Sequence, residues 1–183
     1  MVGTVSRPLP HKIATLLYAF NSSGETLLLE RRQEPNFGLW SPAGGKLAVE
    51  SGESPHACAC REAREEMGLE LTPGDVRLTG LVSERGYEGQ AHWLMFLFEI
   101  SRPVNALPPP IREGRFEFFP LARLSGLKLP ETDREQIWPL FLRHRGGFFA
   151  AHCRCHPDGP REWTLEESRP ARCASGGENK VGL

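Results

Sequence analysis

Apolar and polar residues alternate in short blocks along most of the chain, and only two blocks have helix length and spacing. Lys12 to Phe20 is an apolar, β-prone run, Asn21-Ser22-Ser23-Gly24 is a turn cluster, and Thr26 to Leu29 is apolar again before the charges of Glu30-Arg31-Arg32. Two such runs around a turn predict a hairpin. Gln33 to Gly45 reads as a loop that carries Phe37 and Trp40 and ends in Gly44-Gly45. A helix is predicted from about Ser54 to Met67. Pro55 suits its first turn, Ser51 or Ser54 can cap it, and Gly68 stands where a terminating glycine belongs. Strand-like runs follow at Val76 to Ser83 and His92 to Ile100, with a short one at Arg115 to Phe119; Ser101 to Pro110 holds too much proline for a regular element. Pro130-Glu131-Thr132-Asp133 opens a second helix, about Thr132 to Arg143, with Ile137, Leu140 and Phe141 on one stripe. Phe148 to Cys155 and Arg161 to Leu165 read as a last hairpin around Pro157-Asp158-Gly159.

Interleaved strands and helices, with mostly hairpin-type connections, predict an α/β fold with a mixed sheet between helices. The 183 residues suffice for one core. They divide into a single domain over residues 1–167, C-terminal hairpin included, and a polar, Gly-rich tail over 168–183 that is expected to be disordered. A formal net charge of -1 offers no global positive field for a nucleic-acid polymer. No apolar run approaches the ~20 residues that cross a bilayer. Met1 to Pro10 lacks the pattern of a signal peptide, so a soluble, cytoplasmic protein is expected. The five cysteines are an odd set at close spacing and are read as reduced thiols. His152-Cys153-Arg154-Cys155-His156 invites a zinc reading, but a single residue between the cysteines is tighter than zinc sites use. A strand with alternating side chains explains that segment better. Cys58 and Cys60 read as small packing residues on the first helix.

The candidate chemistry lies on that helix and the loop before it. Glu62, Glu65 and Glu66 stand at i, i+3 and i+4 and share a face. Like charges so placed repel, and a hard divalent cation turns the repulsion into binding. Glu53, about two turns earlier, can reach the same cluster or complement the helix N-terminus. Ala59, Ala63 and Met67 recur on the opposite face and suit burial against a sheet. A glutamate triplet alone is most often a solvated surface. What changes the odds is the order around it: Gly44-Gly45-Lys46, Gly52-Glu53, Arg61-Glu62 and Gly68-Leu69 fall in register.

That order resembles the Nudix box, Gly-x5-Glu-x7-Arg-Glu-hydrophobic-x-Glu-Glu-x-Gly-hydrophobic. Glu53 to Leu69 matches at every defined position, with Ala63 as the hydrophobic residue, and the resemblance extends over roughly Lys12 to Arg143. One departure is visible: seven residues, not five, separate Gly45 from Glu53. Loops absorb such insertions at little cost. The insertion leaves open which residue replaces the acidic one often found there, with Glu50 the candidate.

The resemblance implies a Mg²⁺-dependent hydrolase, Mn²⁺ being an alternative, that cuts a phosphoanhydride bond with metal-activated water. Glu62, Glu65 and Glu66 would be the metal set, with Glu53 and Gly45 as further candidate ligands. Arg61 would orient a carboxylate, and Lys46 would neutralise phosphate or remain a solvated loop lysine. The base would be either a box glutamate, Glu62, or Glu113 in the loop before a late strand, where Glu113-Gly114 fits a second family pattern. Phe37, Trp40, Tyr87 and Trp93 are aromatic candidates for stacking on a base, although aromatic residues in or beside strands are more often core; Phe37 and Tyr87 are favoured because they sit in turn-rich segments, and Glu84-Arg85-Gly86-Tyr87-Glu88 reads either as a substrate-rim loop or as a plain hairpin tip. A nucleoside triphosphate or an oxidised dGTP-like substrate, ADP-ribose or another nucleotide sugar, and a non-catalytic nucleotide-binding module all stay open. So does the role of the C-terminal hairpin: completing the sheet, covering the site or making a homodimer.

Overall fold

A computed structural model describes residues 8–34, 36–156 and 159–171. A five-stranded mixed sheet has the order β1-β5-β4-β7-β8, with β1 His11–Tyr18, β4 Val76–Tyr87, β5 Ala91–Ile100, β7 Phe148–Arg154 and β8 Glu162–Arg169. A three-stranded sheet has the order β3-β2-β6, with β2 Thr26–Arg31, β3 Trp40–Ser41 and β6 Gly114–Phe119. Helix α1, Pro55–Met67, packs on β1 and β4. Helix α2, Trp138–Arg143, follows a π-helical turn at Asp133–Ile137.

Strand alternation sorts the core into two layers. Leu17 of β1, Ala19 just beyond it and Phe98 of β5 face Ala59, Ala63 and Met67 of α1. Their neighbours Leu16, Tyr18 and Leu97 face Trp138 and Phe141 of α2. The sheet is therefore covered on both sides, the α/β sandwich expected from the pattern. Helix α1 follows its sequence signals. The Ser54 hydroxyl accepts the Ala57 N–H, Pro55 opens the first turn, and Gly68 closes the helix in the left-handed region. The two extra residues before Glu53 are taken up by a 3₁₀ turn at Val49–Ser51 that is exposed to solvent, Glu50 included.

Three expectations need correction. The runs around Gly24 do not form a paired two-stranded hairpin: β1 and β2 belong to different sheets, and the chain turns between them through a single antiparallel bridge at Phe20 and Thr26, flanked by the Leu27 N–H to Ala19 and Asn21 N–H to Glu25 bonds. The reason is that β1 has no free edge. One side pairs with β5 in parallel along its whole length. On the other side the Leu17 and Thr15 N–H groups donate to the Ala43 and Gly45 carbonyls, and the Leu47 N–H donates to Ile13. The second helix is not uniform, because Pro139 stands about two turns in. Proline lacks an N–H and its ring collides with the carbonyl four residues back, and the widened turn before it relieves that collision. The last hairpin is present, but β8 runs on to Arg169, opposite Phe148, two residues into the segment read as tail. The rest of that tail and Cys173 lie outside the described residues, as do Pro157 and Asp158 of the turn. The hairpin completes the sheet, since β7 pairs with β4 in parallel. No described helix is long and apolar enough to cross a membrane.

Candidate active site

A cleft of about 480 Å³ opens between α1, the Gly44–Lys46 segment, the loop before β6 and the start of the α2 region. That volume suits a nucleotide-sized ligand. One wall is acidic: Glu62, Glu65 and Glu66 of α1 all line it. Arg61 organises this wall. Its guanidinium donates to both carboxylate oxygens of Glu53 (2.8 and 3.0 Å), to Glu62 at 2.6 Å, to Glu65 at 3.0 Å and to the Lys46 carbonyl at 3.1 Å. Glu53 also accepts the Ala48 N–H, which ties the inserted loop to the helix. The Arg61 hydrogen bonds hold the Glu53 carboxyl down at about 2. Glu53 is thereby turned towards Arg61 and does not line the cleft.

Glu66 has a different environment. It is largely enclosed and its carboxylate accepts the Gly44 N–H at 2.8 Å. Burial, reinforced by the negative charge of Glu62 and Glu113, pushes it up to about 7. Burial likewise raises Glu62, which is 8% exposed, although Arg61 opposes the shift. Gly45 leaves room for the Glu62 carboxylate, which would have to shift if a side chain stood there. Its carbonyl accepts the Thr15 N–H at 2.9 Å.

Among the described residues, no three acidic, histidine or cysteine side chains are close enough as placed to enclose an ion. The donor chemistry still fits a hard dication. Carboxylates on one wall destabilise each other's charged forms, and a cation would supply to Glu66 the positive charge that Arg61, committed to Glu53, Glu62 and Glu65, does not.

The facing wall carries Glu113, which the sequence reading had singled out. It lines the cleft, and no hydrogen bond or ion pair holds its carboxylate among the described residues. Its own carbonyl accepts the Arg32 N–H at 2.7 Å. Gly114 is dictated by packing, since a side chain there would overlap the Glu30 carbonyl on β2. Lys46 lines the cleft and is exposed, with Arg31 beside the same space. Of the aromatic candidates, Tyr87 and Trp93 line the cleft. Trp40 does not. It is buried in the core, edge-on to Phe119 at 4.7 Å, because its strand pairs with β2. Phe37 is 65% exposed and outside the cleft lining, on a turn whose neighbour Asn36 has φ 70°.

Two cleft acids have no role of their own in the sequence reading, although Glu84 begins the Glu84–Glu88 stretch read as a substrate rim or a hairpin tip. Glu84 on β4 is 4% exposed and its Oε1 has no hydrogen-bond partner. Asp133 opens the π-helical turn; the residue is half-buried, but its carboxyl is surrounded by protein. Burial pushes both up to about 7. No pattern in the sequence singles Glu84 out, because β4 also carries Arg77, Thr79, Ser83 and Arg85. Away from the cleft, Cys153 and Cys155 hold their sulfurs 3.7 Å apart, and Cys58 packs against the Thr15 hydroxyl at 3.3 Å. The Cys153 segment is strand, as its alternation suggested.

A sequence model of the NUDIX domain matches residues 10–141. The CTP pyrophosphohydrolase of Escherichia coli (strain K12) is 47% identical over 53 residues, which is 28% of this chain and 38% of that protein. The chain thus spans well under half the length of that curated relative. Among solved structures, a mutator MutT protein from Bacillus halodurans superposes with a TM-score of 0.65 at 23% identity, covering 85% of this chain and 97% of the other. The MutT protein of Methanosarcina mazei Go1 gives 0.61 at 27% identity, covering 75% and 95%. The NUDIX domain of Shewanella oneidensis NrtR, solved with ADP ribose, gives 0.58 at 15% identity, covering 76% and 90%.

Proposed function

This chain belongs to the Nudix hydrolase family, and on that premise we propose that it is a metal-dependent pyrophosphohydrolase of a nucleoside triphosphate, an oxidised dGTP-like one included. The observation that carries this reading is the shared cleft: Glu62, Glu65 and Glu66 on one wall, Glu113 on the other, with Lys46 and Arg31 beside them. Glu66 and Glu62 would hold the metal, with Glu65 next to them, and Mg²⁺ or Mn²⁺ is the ion that suits carboxylate oxygens. A bound dication would act as Lewis acid and lower the pKa of the attacking water.

The protein's own part is positioning and charge. Arg61 fixes the carboxylates of Glu53, Glu62 and Glu65 in one orientation, and charge-assisted bonds of this kind are the strong ones. The Gly44 N–H orients Glu66. Lys46 would counter phosphate charge. Glu113 is the better candidate for the base: among the described residues no hydrogen bond or ion pair pins its carboxylate, whereas Arg61 holds Glu62 at 2.6 Å. A base must be within reach of the water it activates, and an unpinned side chain across the cleft can meet that need.

The test is a panel of nucleoside triphosphates, nucleotide sugars and ADP-ribose, assayed with Mg²⁺, with Mn²⁺ and with chelator. Metal-dependent release of pyrophosphate and a nucleoside monophosphate is the expected result. Absence of any metal-dependent cleavage across the panel would leave a binding module instead. Cleavage of ADP-ribose alone would replace the triphosphate reading.

A further inference from the structure

We infer that Cys153 and Cys155 are an oxidation site: they close into a reversible disulfide, and the closure acts on the rim of the cleft that carries Tyr87, whichever nucleotide the cleft takes.

A strand alone does not bring two such thiols together. Residues i and i+2 share a face of a strand but stand about 6.7 Å apart along it. The Cys153 and Cys155 sulfurs are 3.7 Å apart, so the two side chains lean towards each other. They can do so because β7 ends at Arg154, which leaves Cys155 just beyond the regular strand. Cys58 and Cys60 have the same spacing, but on α1. Two residues turn a helix by about 200°, so these thiols point apart. Cys58 meets Thr15 and Arg61 instead.

The two thiols differ, and the difference sets an order of reaction. Cys153 is fully buried, opposite Glu84 of β4 on one side and Trp163 of β8 on the other. It shares the α2 face of the sheet with Glu84, which a register shift between Leu78 and Gly80 turns to that side. Burial pushes the Cys153 thiol up to about 12. Cys155 is half-buried. Burial raises its thiol too, but Cys153 and Arg161 beside it pull the other way. The thiolate is the attacking form, so Cys155 meets an external oxidant first. With a low-molecular-weight disulfide as oxidant, the Cys155 thiolate attacks one of its sulfurs. The external S–S bond breaks and releases one small thiolate, which takes up the Cys155 proton. Cys153 then gives up its own proton, attacks the Cys155 sulfur of the mixed disulfide and expels the second small thiol. One S–S bond forms and one breaks, and two electrons and two protons pass from the cysteine pair to the small thiols.

Closure has to move something. A disulfide sets its sulfurs about 2.05 Å apart, so the pair must close by about 1.7 Å from its 3.7 Å separation. Cys153 is held between β4 and β8, so Cys155 is the one to move. Its N–H donates to the Arg85 carbonyl at 3.0 Å. Arg85 and Gly86 lie in a register shift between Glu84 and Tyr87, where they are out of step with β5. The Gly86 N–H turns instead to the His92 ring at 3.0 Å. The Cys155 backbone is thus one of the supports of this irregular stretch, and Tyr87 stands at its end in the cleft lining. Drawing Cys155 towards Cys153 pulls that support away. A disulfide that strains its surroundings is also the labile kind, readily reduced again.

The experiment uses the full chain, reduced and then incubated with glutathione disulfide at pH 8. Free thiols are trapped by alkylation and the protein is digested with trypsin without reductant. Trypsin cuts after Arg154, between the two cysteines, so their disulfide leaves two peptides joined until dithiothreitol parts them. Wild type is expected to give that joined pair. Cys153→Ser is expected to stop at a glutathione adduct on Cys155, and Cys155→Ser to gain an adduct about tenfold more slowly or worse. Hydrogen exchange then compares oxidised with reduced wild type. The amides of residues 85–87 and of Cys155 are expected to exchange about fivefold faster or more after oxidation. If a variant loses its native circular dichroism, the wild-type mapping and exchange carry the test. Pairing of Cys153 or Cys155 with Cys58, Cys60 or Cys173, adducts without joined peptides, or unchanged exchange at residues 85–87 in the oxidised protein would overturn the inference. Neither readout uses turnover. A protein that forms the disulfide and cleaves nothing would sink the hydrolase reading alone, and one that cleaves nucleotides without forming it would sink this one alone.

Discussion

The two ends of the cleft hold acids in opposite states. On the α1 wall the acids are bonded within the protein: Arg61 reaches Glu53, Glu62 and Glu65, and Gly44 reaches Glu66. At the inner end Glu84 and Asp133 have no such partners among the described residues. Both arrangements carry elevated acids, yet only the first is wired to neighbours that fix geometry. The contrast separates a surface prepared to hold charge in a set orientation from a cavity whose bonding capacity is left for an incoming molecule.

The largest expected effect comes from Glu66. Glu66→Gln keeps the shape and the bond from Gly44 but removes the charge that would hold a dication. Turnover should fall by about a thousandfold, the scale seen when a single electrostatic stabiliser is removed. Circular dichroism and thermal midpoint should be little changed. Full activity in the folded variant would remove the metal role assigned here.

Substitution at the inner end should act on stability, and with a defined pH dependence. Burial lifts the folded Glu84 from 4.5 to about 7. Between those values the unfolded chain binds fewer protons than the folded one, so stability falls as pH rises through the window. The penalty is absent below about 4.5 and complete above about 7. Asp133 is raised in the same direction and adds to it. Glu84→Gln should therefore be neutral at pH 4 and stabilising by roughly 3 kcal/mol at pH 8, from the displacement of its titration. Urea melts at both pH values measure this. A variant no more stable than wild type at pH 8 would show that Glu84 already has a partner in solution.

The same contrast explains what could be read from the chain. The α1 wall was legible because its logic is local: Ser54, Pro55 and Gly68 bound the helix, and spacings of three and four put Glu62, Glu65 and Glu66 on one face. The meeting of Glu84 and Asp133 was not legible, because a strand register shift and a proline-widened turn bring them to one cavity from distant parts of the chain; the sequence marked them only as part of a rim loop or hairpin tip and as a helix opening. Strand alternation marked β1 and β2 correctly but carries no information on partners, so their separation into two sheets was hidden. Trp40 failed for a related reason. An aromatic ring in a glycine-rich loop looks like a binding residue until pairing with β2 shows that it is core.

Arg61 tests whether geometry or charge alone sustains the acidic wall. Arg61→Lys keeps the charge and gives up the planar fork that spans Glu53, Glu62 and Glu65 at once. Outer partners of metal ligands are typically worth about 10–100-fold, and kcat should fall within that range. Unchanged kcat would show that a point charge is enough.

The smallest effect separates the two aromatic residues favoured from sequence. Phe37 is 65% exposed and lies outside the cleft lining, so Phe37→Ala should leave KM within about twofold, since exposed substitutions of this kind change energies by roughly 0.5 kcal/mol or less. Tyr87 lines the cleft. If its ring stacks on the base, Tyr87→Leu should raise KM about fivefold or more, a loss in line with measured base–aromatic stacking. A larger effect from Phe37 than from Tyr87 would mean that the loop before β3 folds over the bound substrate. The boundary between the ordered site and its rim would then have to be redrawn to include that turn.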